Sequence, residues 1–341
     1  MRNKKYSSSI GFIIAFILLG GSFFYSLPFY VAKPGMAKEL EPIIEVEDGY
    51  EDKGSFMLTT VRMGRANIYS YLMAKLSKYQ EIYPIEQVRA KDESDEEYNV
   101  RQLYLMSSSQ TNAIEVAYKK AAIPIEYDYN GVYVLNVMEG MPASGKLKPG
   151  DRIYKIDGKN FTSTEQFIEY VGKKKIGDKV ELAYEREDKK ANVSLSLKEF
   201  ANDQSRIGVG ISLVDDKEIE VTPKVTVKTD DIGGPSAGLM FTLEIYNQLT
   251  KKDYTKGYQI AGTGTISADG TVGPIGGIEQ KIIAADKAGA EIFLAPNEKG
   301  SKNSNYRDAV KTAKDIGTEM KIVPIDTFED ALDFLDSLKE K

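Results

Sequence analysis

From Tyr6 to Ala32 the chain carries no charged residue, and Ile10–Leu27 (IGFIIAFILLGGSFFYSL) is an almost unbroken apolar run. No other stretch constrains the architecture as strongly, because an apolar helix of about 20 residues is what a bilayer requires. Arg2, Lys4 and Lys5 stand just before it. Excess positive charge is retained on the cytoplasmic side, so everything after Pro34 is expected outside. A cleaved signal peptide is the competing reading. Its apolar core spans only ~7–15 residues and its cleavage site needs small residues. The best site here, Tyr30-Val31-Ala32, offers a bulky Tyr. A buried core helix does not suit a terminal segment with basic flanks. The expectation is a cytoplasmic tail at 1–9 and one transmembrane helix, a retained anchor, at 10–32.

The remaining residues suffice for about two domains, at ~150 residues each. Three residue types are missing altogether: the 341 residues include no His, no Cys and no Trp. Without His there is no Ser-His-Asp triad and no HExxH zinc site. Without Cys there is no thiolate nucleophile, disulfide or Cys-held metal. No metal or other cofactor is expected, and hydrolytic chemistry has to rest on Ser, Thr, Tyr, Lys or carboxylates. A surplus of acidic over basic residues, 51 against 45, argues against nucleic-acid binding. No GxxxxGK[ST] loop occurs, so ATP is not an expected partner.

Gly54–Met63 reads as a strand, Ala66–Tyr79 and Gln102–Ala122 as helices, and Lys91–Glu97 as a solvated acidic run. Residues 131–199 break into short strands, Gly-containing turns and one helix near Thr164–Val171. Ile219, Val221, Pro223, Val225 and Val227 then alternate with polar neighbours, as a half-buried strand does. The C-terminal part alternates strands and helices in the manner of an α/β layer.

Within the middle unit, Pro149-Gly150-Asp151 signals a turn before the strand Arg152–Ile156, and Asp157-Gly158 a hairpin after it. Together with Gly131-Val132-Tyr133-Val134, Met141-Pro142-Ala143 and Lys148-Pro149-Gly150-Asp151, this segment resembles the PDZ domains of bacterial envelope proteases. The resemblance implies a β-rich partial barrel over 129–199. It also implies a peptide added as an extra strand beside Gly131, Val132, Tyr133 and Val134, its carboxylate held by backbone N–H groups.

The chemistry concentrates further along. Gly234-Pro235-Ser236-Ala237-Gly238 leads into a helix-patterned stretch, Leu239–Leu249, and so sets a hydroxyl at a helix N-terminus. Unpaired N–H groups there, at Ser236 and Ala237, can receive an oxyanion. A Ser at a helix start is by itself more often a cap than a nucleophile. A second segment changes that balance. Thr263-Gly264 is followed by the Gly-rich loop Gly270–Gly277, which delivers Lys281 to the start of an apolar helix.

Together these segments closely resemble the proteolytic domain of the Lon family, peptidases with a Ser–Lys dyad. The resemblance implies Ser236 as nucleophile, Lys281 as base and Thr263 as the residue that helps hold the Lys. Many Lon enzymes carry Asp three residues before the Ser; here that position is Gly233, with Asp230 and Asp231 slightly upstream. A Lys serves as base only when neutral, so its pKa must fall from ~10.4 toward ~7–8 by burial. Ile275, Ile278, Ile282 and Ile283 offer apolar surroundings.

An anchor, a PDZ domain and a Lon-like domain in one chain look like the membrane-anchored PDZ–Lon proteases of Gram-positive bacteria. The fold expected is an α+β or α/β Lon-type proteolytic domain built from 54–128 and 200–341, with the PDZ inserted between them. The function implied is an ATP-independent serine endopeptidase at the outer face of the cell membrane. Its substrates would be secreted peptides or small membrane-tethered proteins. The alternatives are a non-catalytic PDZ-based receptor or scaffold and a signal-peptidase-like Ser–Lys hydrolase.

Overall fold

A computed structural model describes residues 20–341 apart from 90–92, 202, 230 and 231. The first part holds β1 (Ser26–Glu39), β2 (Ile44–Val46), β3 (Ser55–Asn67), α1 (Ile68–Leu76), β4 (Glu81–Pro84), α2 (Ile85–Val88) and α3 (Asp95–Lys120). Reciprocal caps start α1 (Asn67 with Ser70) and α3 (Ser94 with Glu97), satisfying N–H groups that a helix start leaves orphaned. Lys119 and Lys120 complement the dipole in the last turn of α3.

The middle part holds β5 (Ile125–Val137), β6 (Arg152–Ile156), α4 (Thr164–Gly172), β7 (Lys179–Arg186), β8 (Lys189–Ser196), β9 (Lys198–Phe200), β10 (Asp203–Gly208) and β11 (Ile211–Val221). The last part holds β12 (Val225–Val227), α5 (Gly238–Leu249), β13 (Gln259–Gly262), β14 (Thr265–Ile266), β15 (Val272–Gly273), α6 (Ile278–Lys287), β16 (Ile292–Pro296), α7 (Asn305–Ile316), β17 (Lys321–Ile325) and α8 (Phe328–Ser337).

One six-stranded sheet, in the order β17-β16-β13-β3-β1-β4, joins strands from both ends of the chain. β13 runs parallel to β3, with Gln259 opposite Ser55 and Gly262 opposite Leu58. Every residue of β16 is buried, as expected of a parallel strand covered on both faces. The core under α3 and α5 mixes Leu40, Phe56, Leu58, Met106 and Tyr118 with Leu239, Phe241, Ile260 and Leu294. The sheet's other face packs Met57, Ala261 and Phe293 against Ile278, Ile282 and Ala309 of α6 and α7. The middle part has its own core around Val132, Ile153, Phe167 and Leu182. Its sheet has the order β11-β5-β6-β7-β8.

Two boundaries differ from expectation. Residues 26–32 of the expected 10–32 span belong to β1, where Tyr30, Val31 and Ala32 are buried opposite Arg65, Gly64 and Met63. A charge-free run suits a sheet interior as well as lipid, so the lack of charge overstated the span. The start of the expected anchor lies outside the described residues, and no helix among those described is long and apolar enough to cross a membrane. Secondly, the middle unit does not end near 199. β11 pairs with β5 from Ile211↔Val137 to Val221↔Ile125, and Val209 joins that unit's core. The alternating pattern read as one strand over 219–227 is the end of β11 followed by β12, which pairs with β2.

α5 is buried along almost its whole length and carries Glu244, which is 1% exposed. Gln248 Nε2 donates to its Oε1 at 2.6 Å, while Oε2 finds no partner among the described residues. Burial, and then the nearby Asp52 carboxylate, push Glu244 up to about 8. The folded chain therefore holds a proton that the unfolded chain releases near 4.5. Stability conferred by the protonated acid is complete below that pH and is lost as pH rises toward 8. Glu244→Gln should raise stability at pH 8–9 by on the order of 2 kcal/mol and flatten that slope, checked by urea unfolding across pH. An unchanged slope would contradict the assignment.

Candidate active site

The turn before α5 is held by α3. Gly234 N–H donates to the Gln102 carbonyl at 3.0 Å, and Ser109 Oγ–H to the Pro235 carbonyl at 3.1 Å. Gly234 has φ 88°, a conformation that penalises a side chain. A Cβ on Gly238 would meet Ile266 N at 2.9 Å and Ser109 Oγ at 2.8 Å, so only Gly lets the helix start so close to β14. Ser236 is thereby left half-buried at the mouth of α5. The N-cap itself is Ala237, with no side-chain cap. Gly238 and Leu239 N–H donate to the Pro235 and Gly264 carbonyls at 3.4 and 3.1 Å, so the N–H groups of this turn that take no carbonyl partner among the described residues are those of Ser236 and Ala237.

Thr263 and Gly264 tie the turn down from the other side: Thr263 Oγ1–H and Gly264 N–H both donate to the Ser236 carbonyl at 2.9 Å. Gly277, with φ 70°, starts α6 and brings Lys281 beneath the same turn. Lys281 is 2% exposed. Its Nζ stands 2.8 Å from Ser236 Oγ, 2.9 Å from the Thr59 carbonyl oxygen and 3.1 Å from Thr263 Oγ1. Burial alone lowers its pKa to about 7. Of the four Ile residues expected around it, Ile278, Ile282 and Ile283 are buried and Ile275 is partly buried.

Proton bookkeeping decides what this arrangement can do. The Thr59 carbonyl can only accept, and Thr263 has already committed its hydroxyl hydrogen to Ser236 O, so it too accepts. A neutral amine has two N–H bonds and one lone pair. Both N–H bonds are used by Thr59 and Thr263, leaving the lone pair facing Ser236 Oγ. The Ser236 hydroxyl then donates to Lys281 Nζ, which is the geometry of a hydroxyl about to be deprotonated.

Sequence reasoning named Ser236, Lys281, Thr263 and Ala237, and the structure brings all four together. It missed Thr59, which contributes only a backbone carbonyl from β3 and leaves no mark in residue type. Ser109 and Gln102 were also missed, being ordinary polar residues on an amphipathic helix. Asp230 and Asp231, the candidate acidic partners, lie outside the described residues. Among the described residues no group of His, Asp or Glu is arranged to hold a metal.

The expected peptide edge is corrected. Gly131, Val132, Tyr133 and Val134 lie in β5, inside the sheet, with Val132 paired to Ile153 of β6 on one side and Asp215 of β11 on the other. Neither side of β5 there is open to an added strand. Tyr133 instead stacks on Tyr104 of α3, ring centroids 3.9 Å apart. β11 is one of the sheet's two terminal strands, and between it and α4 runs a groove lined by Phe167, Ile168, Val171, Ile207, Ile211 and Leu213. Gly208-Val209-Gly210 at its head is the sequence signal that was passed over. A second cleft adjoins the groove, sharing Thr164 and Leu213, and reaches Asn112 of α3 and Ser267. Asn112 Nδ2 donates to the Ile266 carbonyl at 3.0 Å, so the cleft ends beside the strand that abuts Gly238.

Two family models match the chain: the PDZ domain over residues 105–197, and the Lon protease (S16) C-terminal proteolytic domain over residues 187–336. Among curated proteins the chain is similar to the Lon protease of Campylobacter concisus. The two are 41% identical over 100 residues, which make up 29% of this chain and 11% of that protein. It is also similar to the Lon protease of Mycoplasma mycoides, 27% identical over 147 residues, 43% of this chain and 17% of that protein. The chain thus spans less than a fifth of either relative. Among solved structures it is similar to the PDZ domain of the SdrC-like protein of Listeria monocytogenes. That likeness has 39% identity and a TM-score of 0.25, over 26% of this chain and 90% of that one. The corresponding domain of Listeria innocua gives 40% identity and a TM-score of 0.23, over 24% and 92%.

Proposed function

Since the chain carries a PDZ domain and a Lon-type S16 proteolytic domain, we propose that it is a serine endopeptidase acting through Ser236 and Lys281. The observation that carries this reading is the 2.8 Å approach of a buried Lys281 Nζ, its N–H bonds otherwise engaged, to Ser236 Oγ. In the reaction, Lys281 takes the Ser236 proton as Oγ bonds to the scissile carbonyl carbon. The resulting oxyanion is met by the N–H groups of Ser236 and Ala237, just before α5, which act on charge that develops only in the transition state. Lys281 then returns the proton to the departing amine as the peptide C–N bond breaks. Water, deprotonated by the same Lys281, attacks the Ser236 ester carbon; the bond from that carbon to Oγ breaks, Lys281 returns the proton to Oγ, and the acid is released.

No step requires a nucleotide, and the sequence has no Walker A loop, so we read the enzyme as ATP-independent. Its substrates are then already extended chains. The open side of β11 suits such a chain, which can add there as a strand and continue through the adjoining cleft toward Ser236. The apolar run at 10–25 and its basic flank support a membrane anchor with the protease outside the cell.

A fluorophosphonate probe tests the central role: the full chain should be labelled and Ser236→Ala should not. Labelling that survives Ser236→Ala would reject the nucleophile, and an unlabelled wild type would favour the non-catalytic scaffold. For the groove, Ile168→Asp should weaken binding of a peptide with an apolar C-terminus about tenfold, roughly 1.4 kcal/mol. Cleavage of a short peptide that cannot reach the groove should be unchanged. Equal affinity in calorimetry would move the peptide site elsewhere.

A further inference from the structure

α1 presents its apolar stripe outward. Tyr69, Leu72, Met73 and Leu76 follow the i, i+3, i+4, i+7 spacing of one helical face, and they are 37%, 55%, 61% and 85% exposed. The inward face buries only Ala74, with Val31 and Ala66, and sets Tyr71 against Phe29 at 5.2 Å. The exposed face continues into Phe23, Phe24 and Tyr25, which are 57%, 85% and 63% exposed. The two are fastened together. Asn67 Nδ2 donates to the Phe23 carbonyl at 3.1 Å, Ser22 Oγ and Tyr69 Oη are 2.9 Å apart, and the Phe23 and Tyr69 rings lie 6.1 Å apart. A contiguous apolar patch of this kind marks a contact site rather than ordinary surface.

What meets the patch follows from where the chain leads. The described residues begin at Gly20, inside the apolar run Ile10–Leu27, so the run enters the fold at this patch. Aromatic side chains gather at the level of lipid headgroups, and a helix with an apolar stripe and basic flanks lies along that interface. Exposed Arg65 and Lys75 provide the flanks. We propose that the outward face of α1, with Phe23, Phe24 and Tyr25, rests in the surface of the bilayer that the N-terminal run crosses. This rests on the anchor reading and adds a second, orienting contact to it. β3 leads from Asn67 at the patch to Thr59 at the catalytic pair, eight residues or about 27 Å of strand. The contact therefore keeps Ser236 within about 35 Å of the lipid.

The chain has no Trp, so one introduced Trp is a clean reporter. Leu76→Trp and, as a control on the PDZ surface, Ile176→Trp are made in the full chain and reconstituted into vesicles. The vesicles contain phosphatidylcholine and phosphatidylglycerol, with or without brominated acyl chains. The proposal predicts sedimentation of both variants with the vesicles, a blue-shifted Leu76→Trp emission, and bromine quenching of it several-fold above that of Ile176→Trp. Vesicle-bound chain with Leu76→Trp quenched no more than the control would overturn the contact and leave the anchor standing. Chain that stays off the vesicles would overturn both.

Discussion

Replacing Lys281 by Met should abolish peptide cleavage, by about 10⁴-fold or more, and at the same time make the protein more stable. In the proposed mechanism Lys281 and Ser236 act as a unit, so Ser236→Ala should cost as much, and the double variant little more than either. In the wild type kcat/KM should rise with pH through about 7, the value to which burial lowers Lys281. The sign for stability is the reverse of the usual lysine case. The unfolded chain protonates this amine up to about 10.5, whereas the folded chain releases the proton near 7. The resulting cost is greatest at low pH and disappears as pH rises from about 7 to 10.5. Lys281→Met removes the cost but leaves the Thr59 carbonyl without its donor. The net gain at pH 7 should be on the order of 2 kcal/mol in urea unfolding. A Met variant that is both active and less stable would refute the assignment.

The second large effect concerns residues upstream of the PDZ. Residues 200–341 expressed alone should neither unfold cooperatively nor cleave peptides. In that fragment β13 loses β3, its parallel neighbour, and Lys281 loses the Thr59 carbonyl. Leu239, Phe241 and Ile260 lose Phe56, Leu58, Met106 and Tyr118 from their shared core. Each such deletion removes several buried large side chains, at 2–5 kcal/mol apiece by analogy with single core truncations, more than a domain's net stability of about 5–15 kcal/mol. Co-expression with residues 20–128 should restore soluble, active material. A stable and active 200–341 fragment would show that the upstream strands are dispensable.

These expectations depend unequally on what the sequence revealed. Ser236 and Lys281 were legible because their chemistry resides in side chains at distinctive loop positions. Thr59 was not, since a carbonyl is common to every residue and only strand pairing delivers it. The end of the expected anchor was misplaced because hydropathy alone cannot separate strand residues such as the buried Tyr30–Ala32 from lipid-facing helix. The peptide edge was assigned to β5 because a strand's openness depends on its neighbours. β11, some 80 residues later, is what covers β5 and becomes a terminal strand. Of the outward stripe on α1, Leu72 and Leu76 fall at the helical spacing that marks 66–79 as a helix. Periodicity identifies a helix, though, and does not say which way its apolar side faces.

The central claim is that Lys281 is a neutral base at physiological pH. Its ionisation can be followed directly by NMR of 13Cε-labelled lysine in the full chain, with the Lys281 resonance identified by its loss in Lys281→Met. A midpoint near 7, well separated from the other lysines, is the result predicted here; a midpoint near 10.5 would contradict it.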